Sequence, residues 1–154
     1  MDNLPDPRWQ DALQHSRFLA NLLTARPALI PDLAAVWTAP LSPELLRAAM
    51  EPPAGDDETL KTQLRRLRQQ AMAHIALRDL CGLAPLAEVV ESMTVLADFT
   101  TNFALDHHHL QLAATYGEPL DRNGRPQRLL IIGMGKLGGR ELNVSSDVDY
   151  IFIY

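Results

Sequence analysis

Gly133-Met134-Gly135-Lys136-Leu137-Gly138-Gly139-Arg140-Glu141-Leu142-Asn143-Val144-Ser145-Ser146-Asp147-Val148-Asp149, running into Tyr150-Ile151-Phe152-Ile153-Tyr154, is the stretch on which the fold of this chain turns. Ahead of it, Arg128-Leu129-Leu130-Ile131-Ile132 has the apolar, β-branched character of a buried strand, and Val148 to Tyr154 repeats it. Strand side chains alternate between faces, so Asp147 and Asp149 are expected to project from one side and Val148 from the other. A hard cation such as Mg²⁺ takes oxygen ligands and shares them with substrate phosphates, which makes Asp147 and Asp149 the candidate metal ligands and catalytic residues. Gly138 and Gly139 let backbone N–H groups approach phosphate oxygens, while Ser145 and Ser146 offer hydroxyl donors. Lys136, Arg140 and Arg128 add local positive charge.

Two better-known phosphate motifs fit this stretch poorly. Gly133-x-Gly135-x-x-Gly138 after a strand matches the dinucleotide-binding fingerprint, but that fold needs a helix of ten or more residues before its next strand. Only Gly139 to Ser146 intervene here, and the acids stand at the start of the second strand rather than its end. A P-loop needs Gly-Lys followed by Ser or Thr, whereas Lys136 is followed by Leu137.

Working back along the chain, helical grammar rules up to Gly117. Trp9, Ala12, Leu13, Ser16, Leu19, Ala20 and Leu23 form one small or apolar stripe, which predicts a first amphipathic helix. Pro27, Pro31, Pro40 and Pro43 allow only short helices next, with Ser42-Pro43-Glu44 reading as a helix start. A loop is expected over Glu51 to Asp57. Glu58 to Leu80 follows the cap Asp56-Asp57 and lines up Leu60, Leu64, Leu67, Ala71 and Ile75. Leu86 to about Tyr116 repeats the pattern at Leu86, Val89, Val90, Met93, Leu96, Ala97, Phe103 and Ala104. The short link around Gly82 makes the two antiparallel neighbours. Asp121-Arg122-Asn123-Gly124 is a turn signal. The expected class is α+β, with a helical region over 1–117 and the beginning of a sheet domain over 118–154.

Composition narrows the function. A net charge of −5 argues against a nucleic-acid partner, because such proteins concentrate positive charge against phosphates. The single cysteine, Cys81, leaves no internal disulfide, and neither a signal peptide nor a long apolar run is present, so a cytoplasmic protein with no membrane partner is expected.

The Gly-Gly pair, the eight-residue step to Asp147 and the alternating apolar run after it form the layout of the nucleotidyltransferase superfamily, polymerase-β-like enzymes included. Residues 133–149 resemble more closely the signature of bacterial glutamine synthetase adenylyltransferases, and Arg78-Asp79-Leu80 leading through Gly82 to Ala84-Pro85-Leu86 is similar as well. The resemblance implies a mixed nucleotidyltransferase sheet, Mg²⁺ as cofactor, and ATP, ADP or phosphate as small-molecule partners. It also implies glutamine synthetase as protein substrate and the nitrogen-signal PII protein as a partner of other regions. Such enzymes carry two catalytic domains, one removing AMP from a tyrosine of glutamine synthetase by phosphorolysis and one adding it from ATP. Met1 lies too close to the motif for another such domain upstream, and Asn143 in the spacer resembles the removing half, so the removing activity is expected. The superfamily's third metal-binding carboxylate lies on a later strand, beyond Tyr154, so the chain alone is expected to be an inactive piece. Tyr150 departs from the family's aliphatic preference. A degenerate fold serving only as a regulatory or binding module is the competing reading, disfavoured by the intact Gly-Gly and Asp-x-Asp.

Other chemistry-bearing residues are expected to be structural. His107-His108-His109 reads as a solvated helix face, because consecutive helical residues point about 100° apart. His74 reads as packed or hydrogen-bonded, Cys81 as a small apolar side chain, and Arg65, Arg66 and Arg68 as a solvated face.

Overall fold

The computed structural model describes residues 4–50 and 56–154, so most of the loop expected over Glu51 to Asp57 lies outside the described residues. Among the described residues, helices α1 (Pro7–His15), α2 (Arg17–Ala25), α3 (Leu29–Val36), α4 (Pro43–Ala48), α5 (Asp57–Leu80) and α6 (Leu86–Tyr116) precede β1 (Leu130–Gly133), the single turn α7 (Gly135–Gly138) and β2 (Tyr150–Ile153). The class is α+β, mostly helical, and the described sheet is one antiparallel pair with Leu130 opposite Ile153 and Gly133 opposite Tyr150.

The single first helix of the sequence reading is two helices. Ser16 has extended backbone, and its hydroxyl accepts a hydrogen bond from the Leu19 N–H at 3.2 Å, which starts α2 with an N-cap. The apolar stripe survives the break: Trp9, Ala12, Leu19, Leu22 and Leu23 bury together with Leu33, Trp37, Ala73 and Leu77. Ser42 and Asp56 cap α4 and α5 as their sequence context predicts.

Between α5 and α6 the chain turns at Gly82, whose φ of +71° only glycine adopts without cost. Arg78 meets Glu88 at 2.7 Å beside this turn, while Asp57 meets His107 at the opposite end, so the two long helices run antiparallel. Arg78 is buried, and its guanidinium also donates to the Trp37 carbonyl at 2.9 Å, which satisfies a charge that would otherwise be expensive to bury. Among the predicted helix core positions Leu86 fails, being 77% exposed in the first turn of α6, and the strand expected to be buried leaves Leu130 and Ile132 exposed at 60% and 45%.

The segment that follows β1 is docked on this helix pair. Leu137 of α7 and Leu142 after it bury against Ile75, Val89 and Met93. Arg140 donates to both carboxylate oxygens of Glu91 on α6 and lies 3.6 Å from Asp98. The sheet has two unlike faces: Ile131, Gly133, Tyr150 and Phe152 share the face whose Tyr150 reaches α6, and Leu130, Ile132, Ile151 and Ile153 share the other. All four on that second face are 44–60% exposed.

Candidate nucleotide and metal site

Strand β1 ends at Gly133, the chain makes one turn of helix, and a connector returns it to β2. The turn packs against the strand so closely that a Cβ on Gly138 would stand 2.5 Å from the Gly133 carbonyl oxygen. Gly133 is equally confined, a Cβ there falling 2.7 Å from Leu137 Cγ. Gly139 differs, with φ −82° and a nearest approach of 3.5 Å for an added Cβ, which is ordinary contact. Packing within the chain therefore accounts for glycine at 138 and leaves the choice at 139 to something else. Arg140 takes φ +57°, a conformation costly for a residue with a side chain and held here by its contacts to α6.

The connector is organised by Asn143, which motif reading treated only as a family marker. Its side-chain oxygen accepts from the Ser145 N–H at 3.2 Å, the Ser145 hydroxyl at 3.3 Å and the Ser146 hydroxyl at 2.7 Å. The Ser146 N–H donates to the Asn143 carbonyl at 3.1 Å, closing a turn. Asn-x-Ser-Ser is the available signal for it, since an Asn carboxamide readily bonds the backbone two residues on. Lys136 reaches over from α7 and donates to Ser146 Oγ at 3.4 Å. Lys136, Ser145 and Ser146 are thus gathered at one place, with Gly138 and Gly139 on the adjoining turn.

Asp147 and Asp149 stand just before β2 rather than within it. The Asp149 carbonyl still accepts from the Met134 N–H at 2.9 Å, which continues the ladder beyond the Gly133–Tyr150 pair. Both aspartates are exposed, and no described residue engages either carboxylate. Two unengaged carboxylates one residue apart, beside a lysine and two hydroxyls, are an oxygen-donor set of the kind a hard cation and phosphate share. Of the sequence-derived positive charges, Lys136 lies in this group, Arg140 is turned to Glu91, and Arg128 is paired with Asp106. The Arg140 guanidinium also holds the Glu91 carboxyl below its ordinary range.

Family comparison adds a second line of evidence. The family model described as glutamate-ammonia ligase adenylyltransferase matches residues 8–154. The chain belongs to that family. It is 45% identical over its whole length to the bifunctional glutamine synthetase adenylyltransferase/adenylyl-removing enzyme of Aromatoleum aromaticum, of which it covers 16%. The enzymes of the same description from Chromobacterium violaceum and Burkholderia mallei are 47% and 45% identical over 92% and 93% of this chain, again 16% of their own length. The chain thus spans about a sixth of the length of the curated relatives it matches.

The histidine run departs from its sequence reading. His107 is buried, His108 is exposed and His109 pairs with Glu118 at 3.1 Å, so the three do not form one solvated face. His74 is packed as expected, bonding the Ala39 carbonyl at 3.0 Å. Arg65, Arg66 and Arg68 are exposed, and partial burial pushes the Cys81 thiol up. No helix among the described residues is long and apolar enough to cross a membrane.

Proposed function

We propose that residues 118–154 begin a nucleotidyltransferase catalytic domain that acts on glutamine synthetase in the cytoplasm, following a helical region over 1–117. The observation that carries this reading is the pair of unengaged carboxylates, Asp147 and Asp149, next to the Asn143-organised Lys136, Ser145 and Ser146 group in a chain of this family. The open apolar face of Leu130, Ile132, Ile151 and Ile153 supports it, since a sheet face of that character suits packing against further structure.

In this reading Asp147 and Asp149 hold Mg²⁺, which supplies neutralisation of charge at the phosphorus under attack. Lys136 holds the phosphates of ATP, ADP or free phosphate, joined by the Ser145 and Ser146 hydroxyls when they exchange their bonds to Asn143 for bonds to phosphate, and Gly138 and Gly139 admit them to the backbone. Arg140 reaches a phosphate only by exchanging its Glu91 contact for it. The reaction proposed for this half is removal of AMP from the modified tyrosine of glutamine synthetase. An oxygen of inorganic phosphate bonds to the AMP phosphorus, the bond to the tyrosine oxygen breaks, and the products are ADP and free tyrosine. The Asn143 spacer, which resembles that of removing domains, supports this direction. A nitrogen-signal PII protein acting through other regions is part of the same proposal.

The experiment is made in the full-length enzyme. Asp147→Asn and Asp149→Asn keep the side-chain size and lose the charge, so phosphate-dependent ADP release from adenylylated glutamine synthetase is expected to vanish while AMP incorporation persists. Loss of incorporation with intact release assigns the segment to the opposite reaction. If both activities survive, the catalytic reading falls and the binding-module reading replaces it.

A further inference from the structure

At the end of the α5–α6 pair opposite Gly82, three potential ligands meet that belong to no part of the site above. Asp57, in the first turn of α5, and His107 and His108, fifty residues later on α6, present one ligand atom each, all within 4.8 Å of one another. We propose that these three side chains bind a transition-metal ion of the zinc class. His107 decides the matter. Its side chain is only 6% exposed, and its Nε2 is buried without a hydrogen-bond partner among the described residues. That nitrogen lies 3.4 Å from Asp57 Oδ1, within ion-pair range but without the geometry of a hydrogen bond. Two ligands each about 2.1 Å from a tetrahedral ion stand about 3.4 Å apart, which is the spacing of His107 Nε2 and Asp57 Oδ1.

Neighbouring helical residues point about 100° apart, which is why His107-His108 is discounted as a site from sequence. The two rings turn different nitrogens toward Asp57, Nε2 of His107 and Nδ1 of His108, with their planes at 84°. His108 Nδ1 lies 3.8 Å from the same Asp57 oxygen, on a half-exposed side chain. Asp56 is not a fourth ligand, because its carboxylate is occupied in capping α5 through Thr59 at 2.9 and 2.7 Å. Imidazole nitrogens with one carboxylate favour zinc-class ions over Mg²⁺, which distinguishes this site chemically from Asp147 and Asp149. A bound ion would pin the start of α5 to α6.

The test uses the full-length enzyme, stripped with chelator and titrated with Co²⁺ as a coloured substitute for Zn²⁺. In an Asp147→Asn/Asp149→Asn background, visible absorption bands of a nitrogen-ligated, four-coordinate ion are expected. Asp57→Asn and His107→Leu should each lower the bound Co²⁺ by one ion per chain or weaken it by at least about tenfold, while His109→Gln should not. Asp57 is exposed enough that its variant keeps the fold even if His107→Leu does not. Unchanged stoichiometry and affinity in Asp57→Asn would overturn the proposal, as would Co²⁺ bands lacking nitrogen ligation.

Discussion

The Tyr150 hydroxyl lies 2.6 Å from the Thr101 hydroxyl, tying the first residue of β2 to the middle of α6. Tyr150 is half-buried and directly follows Asp149, so this bond anchors the backbone that carries the aspartates. An aliphatic residue here would leave Thr101 without that partner. Tyr150→Phe is therefore expected to cost about 1 kcal/mol in urea denaturation, with the slope of the transition unchanged. Thr101→Val should cost a similar amount, and the two together less than their sum. Additive losses would show that the hydroxyls do not act as a pair.

Gly138 and Gly139 are adjacent in sequence and opposite in what they tolerate. Gly138→Ala drives a methyl to 2.5 Å from a backbone oxygen, which must shift, and a loss of about 1–3 kcal/mol is expected from such overpacking. Gly139→Ala meets nothing closer than 3.5 Å and should leave the unfolding midpoint within about 0.5 kcal/mol of the parent. Its effect should fall instead on nucleotide or phosphate affinity in the full-length enzyme. Equal destabilisation by the two variants would contradict the packing described for α7.

Acid sensitivity should centre on His74. Burial lowers its pKa, the Ala39 carbonyl opposes that shift, and the nearby Arg78 charge adds to it. The unfolded chain then binds a proton that the folded chain refuses, so stability is complete above the ordinary histidine pKa of about 6.5 and declines as pH falls from there toward the lower folded value. Each unit of depression corresponds to about 1.4 kcal/mol at most. His74→Gln keeps an N–H for Ala39 and removes the titration, so urea midpoints of parent and variant should diverge between pH 7.5 and 5.5 by less loss in the variant. Parallel decline in both would place the sensitivity elsewhere.

What could be read without coordinates follows from how local each cause is. The α5 and α6 helices announce themselves through caps and apolar spacing that act within a few residues, and they lie within about one residue of where those signals put them. The break at Ser16 escaped because the stripe continues across it, leaving a single side-chain cap as the only sign. Spacing nominates Asp147 and Asp149 as a pair, yet their position ahead of β2 depends on where pairing with β1 stops. The role of Arg140 was hidden for a different reason: its partners Glu91 and Asp98 lie more than forty residues away on another element. His107 is the same case, since nothing near it in sequence foretells Asp57.

Asn143 offers the sharpest separation of fold from chemistry. Its side-chain oxygen acts only as an acceptor toward Ser145 and Ser146, and a carboxylate can accept the same three bonds. Asn143→Asp should therefore keep the turn and the unfolding midpoint. It would place a new negative charge beside Asp147 and Asp149, where phosphate is proposed to bind, and should weaken phosphate or nucleotide binding in the full-length enzyme while strengthening attraction for the cation. Asn143→Ala removes the acceptor, frees both hydroxyls and should cost about 1 kcal/mol together with activity. Stability by urea denaturation and the phosphate concentration needed for half-maximal ADP release would be measured on both variants. Raised phosphate requirement with unchanged stability in Asn143→Asp supports the assignment of Ser145 and Ser146 to the phosphate site, and an unchanged requirement removes them from it.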